Sequence, residues 1–344
     1  MKNNLFSYAT SELSQDAFLC WLASFALEDA RPDAALQACA RELLTVFVPE
    51  LRGRPFTLTR VERQVMHMDV LLTVSSEGRT YRIVVEDKTG TSEHDDQLVR
   101  YLRQLREDDP ACEARGVYYK TGFQSDWSRV RKAGYEIVTR PRMLELLAAY
   151  RDRTDNAIFR DYCQWLEAGH REAMRYVALP LSQWASPQIL AFYDDLQAGG
   201  FAEARDVWLG YGYVSTPSGG FDGLWTGFRD DRVTILGVPC EVYLQIEPKT
   251  DGTGRRFPIC LKLSLSPAGE PAASPQQVRD AAVYDGQGRY RLGAFRFRRP
   301  ARLASGRHMT IGEYDAAPET AGQLRDTLSA ALADCRRLLD AWRQ

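Results

Sequence analysis

Asp69, Glu86 and Lys88 fall on two runs that read as the arms of one β-hairpin. Alternation from Met66 to Val74 sets Met66, Met68, Val70, Leu72 and Val74 on one face, with His67, Asp69 and Leu71 on the other. From Tyr81 to Lys88, Val84, Glu86 and Lys88 share a face while Ile83, Val85 and Asp87 point the other way. The connector Ser75-Ser76-Glu77-Gly78-Arg79-Thr80 is a turn sequence. A hairpin centred between Glu77 and Gly78 puts Asp69 directly opposite Glu86. Opposed side chains in an antiparallel pair have Cβ atoms roughly 4.5–5.5 Å apart, where like charges repel. A divalent cation held by carboxylate oxygens offsets that repulsion. Lys88, on the same face, would bind an anion or orient a water beside it. Such a group suits metal-assisted attack on a phosphodiester.

An acid-x-Lys triplet is common by chance, and the chain holds another in Glu247-Pro248-Lys249. The elements around the hairpin separate the two. Upstream, Leu13, Ala17, Phe18, Trp21, Leu22 and Phe25 recur at helical spacing behind Thr10 or Ser11 as N-cap, with Glu12 in the first turn. Downstream, Ser92-Glu93-His94-Asp95 reads as a capping box that opens a helix with Leu98, Leu102 and Leu105 buried. Gln97 and Tyr101, four apart, project together from that helix. The expected order is helix, strand (Phe56–Val61), strand with Asp69, strand with Glu86 and Lys88, helix, strand (Gly116–Lys120), helix, strand (Tyr135–Thr139). Glu247-Pro248-Lys249 has a Pro inside the motif, no acid one hairpin upstream and no Gln-x-x-x-Tyr helix after it.

The stretch from about Asn4 to Tyr150 resembles the PD-(D/E)XK nuclease superfamily. Its opening, Asn4 to Phe18, looks like one bacterial branch of it. The resemblance implies an α/β fold with a restriction-endonuclease-like αβββαβ core and a mixed central sheet. Asp69 matches the first motif acid, with Met68 where Pro often stands, and Glu86-Asp87-Lys88 matches (D/E)-x-K. Glu12 matches the acid of the first helix, and Gln97 and Tyr101 match the Gln-x-x-x-Tyr motif of the RecB-like exonuclease branch, which orients substrate. Implied with them are Mg²⁺ or Mn²⁺ held by Asp69, Glu86, the Asp87 backbone carbonyl and Glu12, and cleavage that leaves a 5′-phosphate. The substrate class is nucleic acid, DNA ahead of RNA, in defence against foreign DNA or in DNA processing. The alternative is a non-catalytic nucleic-acid-binding or regulatory subunit built on the same fold.

Hydrophobic content of 44% and charged content of 26% are ordinary for a soluble globular protein. No apolar run approaches a membrane span and the N-terminus shows no signal segment, so the expected location is the cytoplasm, without a membrane partner. A homo-oligomer is compatible with this composition. Seven scattered cysteines without CxxC spacing indicate neither zinc nor a disulfide framework. The net charge of −2 does not announce a polyanion binder. Local basic runs do exist, at Arg129, Arg131, Lys132, Arg140 and Arg142, and at Arg296, Arg298, Arg299, Arg302 and Arg307. Only six of the 44 Lys and Arg residues are Lys, which marks Lys88 slightly.

Length allows two domains, expected as a nuclease-like core over 1–150 and a helical connection with an α+β accessory domain over 151–344. The second half reads as a helix at 155–177, another through Ile189–Leu196, a Gly- and aromatic-rich stretch, strands at 232–247, 257–265 and 289–297, and a helix over 319–342. Tyr211, Tyr213 and Trp225 read first as core aromatics of a small sheet and second as a base-stacking platform.

Overall fold

The computed structural model describes residues 3–9, 12–91, 93, 96–216, 219–252, 254–265, 272–297 and 308–343. Two compact units, Met1–Glu172 and Ala173–Gln344, divide the chain.

In the first unit a five-stranded sheet runs β1 (Thr57–Val65), β2 (Met68–Ser76), β3 (Arg79–Lys88), β4 (Glu113–Lys120), β5 (Tyr135–Thr139) in spatial order. The β1–β2 and β2–β3 pairs are antiparallel, and β3–β4 and β4–β5 are parallel, so the sheet is mixed. Helices α1 (Glu12–Ala23), α2 (Ala34–Phe47), α5 (Arg140–Ala148) and α6 (Ala157–Met174) cover one face; α3 (Gln97–Asp108) and α4 (Ser128–Lys132) cover the other. Because both faces are covered, β2 and β3 bury most of their residues, on both faces, instead of alternating.

The β2–β3 hairpin turns on Glu77 and Gly78, both with positive φ (48° and 76°), as its twist requires. Val70 pairs with Val85 and Ser76 with Arg79, and one further step of that register sets Asp69 opposite Glu86. The expected start of the Asp69 strand at Met66 is corrected. Met66 and His67 are a second two-residue turn with φ of 57° and 66°, joining Val65 to Met68. No glycine or asparagine marks that turn, so its signal was absent from the sequence. His67 is exposed there instead of lying on a strand face.

Helix α1 is also turned from the expected orientation. Leu13 is 52% exposed and Ala17 is exposed, while Gln15, Asp16, Leu19 and Leu22 face inward with Phe18. The expected caps at Thr10 or Ser11, and at Ser92, His94 and Asp95, lie outside the described residues. Asp96 precedes α3 and makes no side-chain cap bond.

The unit runs past Tyr150 because α6 is part of its core. Phe18 stacks on Tyr162 with centroids 3.6 Å apart, and the Tyr119 and Tyr162 hydroxyls share a 2.8 Å hydrogen bond. A boundary at 150 would strip these aromatics from the α1 side of the sheet.

The second unit contains α7 (Ser186–Ala198), β6 (Val207–Thr216), β7 (Gly219–Phe228), β8 (Arg232–Ile235), β9 (Val238–Ile246), β10 (Lys249–Asp251), β11 (Gly254–Arg256), β12 (Ile259–Leu265), α8 (Pro275–Val283), β13 (Phe295–Arg296), β14 (His308–Tyr314) and α9 (Ala321–Arg343). Seven of these strands form one antiparallel sheet, ordered β13-β14-β12-β9-β7-β6 with β8 on β9. The expected single strand at 232–247 is a hairpin that turns at Leu236-Gly237 (φ of 51° and 77°). The expected strand at 289–297 shrinks to Phe295–Arg296, and the Gly-rich stretch is a long hairpin. Its glycines make room for indoles: Gly210 pairs with Trp225 and Gly227 with Trp208, and a Cβ on Gly210 would lie 2.6 Å from Trp225 Nε1. Tyr211 is buried and donates to Asp194, which favours the core reading over the stacking platform for that residue; Tyr213 is 69% exposed.

Candidate functional site

The carboxylates converge at the C-terminal end of β3. Asp69 Oδ2 accepts from the Asp87 amide at 3.1 Å, which fixes the end of β2 against β3. Lys88 Nζ lies 2.5 Å from Glu86 Oε1, so the two share a face as their spacing requires. Gln97 Nε2 reaches the same Glu86 oxygen at 2.9 Å and the Tyr101 hydroxyl at 2.8 Å. Tyr101 in turn donates to the His67 carbonyl, so the turn that displaced His67 anchors the helix that holds Gln97. Glu12 Oε1 accepts from the Thr89 amide at 2.7 Å, one residue past Lys88. All six sequence-derived side chains therefore meet at one end of the sheet, on α1, β2, β3 and α3.

The structure adds residues that the sequence did not single out. Asp16, 1% exposed, lies beside Asp69, and Gln64 Nε2 donates to both of them at 3.3 Å. Gln64 adopts φ of 55°, an uncommon conformation for a non-glycine residue. Gln15 Nε2 donates to Thr89 Oγ1 at 2.6 Å. Asp87 points away from Glu86 as expected, but into the α1 side, where it is fully buried. Lys120, the β4 neighbour of Lys88, is fully buried and donates to the Thr91 carbonyl. Gln15 and Asp16 lie off the apolar face expected for α1, so the sequence carried no signal for their burial. A fully buried lysine carries none in one dimension.

The loop after β3 fits closely against the loop after β4. Thr121 N donates to the Lys88 carbonyl at 3.1 Å, and a Cβ on Gly122 would come within 2.1 Å of the Thr89 carbonyl oxygen. Position 122 accepts only glycine without backbone movement.

Burial dominates the electrostatics. It pushes the Glu86 carboxyl up to about 7, with Asp69 adding to the rise and Lys88 opposing it. Burial and the Asp69 charge raise Asp16 to about 7 as well. Asp87 is raised well above the carboxylate range by burial, then by Asp16, Glu12 and Asp69. Burial opposes the Lys88 charge, but Glu86, Asp69 and Glu12 outweigh it and its pKa is raised. Lys120 is lowered to about 8 by burial.

These are the conditions a cation would relieve. Glu86 Oε2, Asp16 Oδ1 and both oxygens of Asp87 are buried without a hydrogen-bond partner. The free oxygen of Glu86, on the Lys88 face, and that of Asp16, beside Asp69, suit a hard divalent ion by donor chemistry, whereas the Asp87 carboxylate lies on the α1 side away from Glu86. As the side chains stand, no group of three or more His, Cys, Asp or Glu among the described residues is arranged as a metal cluster.

No protein-family model, curated protein or solved structure matches the chain. Among the described residues no helix is long and apolar enough to cross a membrane. The other acid-x-Lys triplet is an ion-pair group: Glu247 lies 2.7 Å from Lys262 and 3.5 Å from Lys249.

Proposed function

We propose that the first unit is a metal-dependent nuclease of the PD-(D/E)XK type, with a restriction-endonuclease-like core, acting on nucleic acid and on DNA in preference to RNA. The observation that carries this reading is the joint geometry of Asp69 on the Asp87 amide, Lys88 on Glu86, and Gln97 on the same Glu86 oxygen. Chance placement of an acid-x-Lys triplet would not bring all three together.

Asp69, Glu86, the Asp87 carbonyl and Glu12 would hold Mg²⁺ or Mn²⁺, and Asp16 joins them as a further acid beside Asp69. A bound divalent cation supplies a more acidic water and neutralises charge on phosphate oxygens. Lys88, kept protonated by its acidic neighbours, holds the attacking water or a non-bridging oxygen. Gln97 fixes the Glu86 carboxylate, and Tyr101 fixes Gln97. Glu12 ties α1 to the backbone just past Lys88.

One observation favours the alternative of a binding or regulatory subunit. Each of Asp69, Glu86 and Glu12 already has a protein donor, and no three-ligand cluster stands ready among the described residues. Cleavage of circular and linear, single- and double-stranded DNA with Mg²⁺ or Mn²⁺, comparing wild type with Lys88→Ala, decides between them. Metal-dependent cutting lost in the variant supports the nuclease. A folded wild type that cuts nothing supports the alternative.

A further inference from the structure

Gln64 stands where it can compete with a cation. Arg63 pairs with Val70 and Val65 with Met68, a register that sets Gln64 opposite Asp69. Its Nε2 donates to Asp69 Oδ1 and to Asp16 Oδ2, each at 3.3 Å. One neutral amide thus spans two carboxylates, one on β2 and one on α1. The other oxygen of Asp69 accepts from the Asp87 amide, whereas Asp16 Oδ1 is buried without a partner.

This bridge is easily given up. Both bonds are longer than the roughly 2.9–3.0 Å usual for N–H···O contacts. An amide brings N–H donors but no charge, so the repulsion between the two carboxylates stands. The Asp69 charge is accordingly among the causes that raise Asp16. A φ of 55° holds the Gln64 backbone in the left-handed region, which non-glycine residues seldom adopt. Gln64 is also exposed, so its side chain has solvent to move into. A divalent cation takes carboxylate oxygens and supplies the charge that the amide lacks. We propose that Gln64 is a placeholder: its amide holds Asp16 and Asp69 together until they take a divalent cation, and then swings into solvent. The proposal rests on the metal site of the nuclease reading and adds a residue that sets how readily that site fills.

The test is titration calorimetry of the full chain with Mn²⁺, together with thermal unfolding in chelator and in Mn²⁺. Gln64→Ala removes the amide. Gln64→Asn keeps an amide one methylene too short to span both acids, and asparagine tolerates the positive φ, which separates side-chain from backbone effects. Both variants are expected to bind Mn²⁺ about 3–10-fold more tightly, because hydrogen bonds to charged groups no longer compete. Gln64→Lys tethers an ammonium at the same place. It is expected to raise Tm in chelator and to weaken Mn²⁺ binding by about tenfold or more. Wild-type or weaker affinity in either short variant overturns the proposal, as does unchanged affinity in the Lys variant. Wild-type cleavage with Mn²⁺ is run in parallel to keep the two readings apart. Tighter binding by the short variants without any cutting keeps the placeholder and defeats the nuclease. Cutting with unchanged Mn²⁺ affinity defeats the placeholder and leaves the nuclease. No Mn²⁺ binding by wild type or variants, and no cutting, defeats both.

Discussion

The Gln97 side-chain amide donates to Glu86 Oε1 at 2.9 Å, the oxygen that also faces Lys88 Nζ. One carboxylate oxygen is thus held by a neutral donor from α3 and a cation from its own strand, while Glu86 Oε2 is left without a partner. This is how a carboxylate is held when its second oxygen is reserved for another ligand.

Removing that support should weaken the site without abolishing it. Gln97→Ala is expected to lower metal affinity or activity by roughly 10–100-fold, in the range seen for outer partners of metal ligands. Titration calorimetry with Mn²⁺ and a cleavage time course read it out. An effect no larger than that of an exposed α3 substitution such as Arg100→Ala would count against the assignment.

Glu86→Gln, Asp69→Asn and Lys88→Ala should each reduce cleavage more severely, by about 10²–10³-fold or beyond, as expected when charge stabilisation at the reacting group is lost. A Lys88→Ala protein that cuts at the wild-type rate would remove Lys88 from the mechanism.

Metal affinity should depend on pH through Glu86 and Asp16, both raised to about 7 chiefly by burial. Below that pH a cation must displace protons, so affinity falls by about tenfold per pH unit for each proton released, and it levels off above. Measured Mn²⁺ affinity that is flat between pH 6 and 8, roughly one unit either side of the shifted values, would contradict this.

Stability without metal follows with the opposite sign. Folded-state pKa values raised above the unfolded ones mean that the native chain binds more protons between about pH 4 and 7, so stability falls as pH rises through that window. Asp16→Asn should flatten the fall and raise Tm at alkaline pH, by about 2–4 °C per kcal/mol recovered in a unit of this size. Saturating Mg²⁺ should give a similar rise in wild type, near 2.7 kcal/mol at a hundredfold excess over Kd. Chelator would remove the Mg²⁺ effect. Thermal scans across pH, with and without Mg²⁺, check both statements.

Gly122→Ala should damage the site through the backbone alone. The new methyl would meet the Thr89 carbonyl oxygen at 2.1 Å, and Thr89 carries the amide that Glu12 accepts. A loss of about 1–3 kcal/mol or more is expected from the forced shift. A variant with unchanged Tm and unchanged cleavage would show that the two loops are free to part.

The sequence by itself determined the local pieces. Alternation and a Glu77-Gly78 turn were enough for the register that opposes Asp69 to Glu86, because a two-residue turn leaves one pairing. The i, i+4 spacing of Gln97 and Tyr101 likewise sufficed for their shared face. Only the tertiary structure decided what surrounds them. Asp16, Gln15 and Lys120 are buried because α1 and β4 close on the end of β3, and no local pattern reports which face of a helix a sheet will cover. Met66 and His67 turn without turn residues because β1 and β2 pair across them and Tyr101 binds the His67 carbonyl. The long hairpin of the second unit escaped a propensity reading for the same reason: its glycines serve the indoles on the neighbouring strand, a contact made only when β6 and β7 pair. Periodicity reports what a segment does alone, and burial of charge is decided by what packs against it.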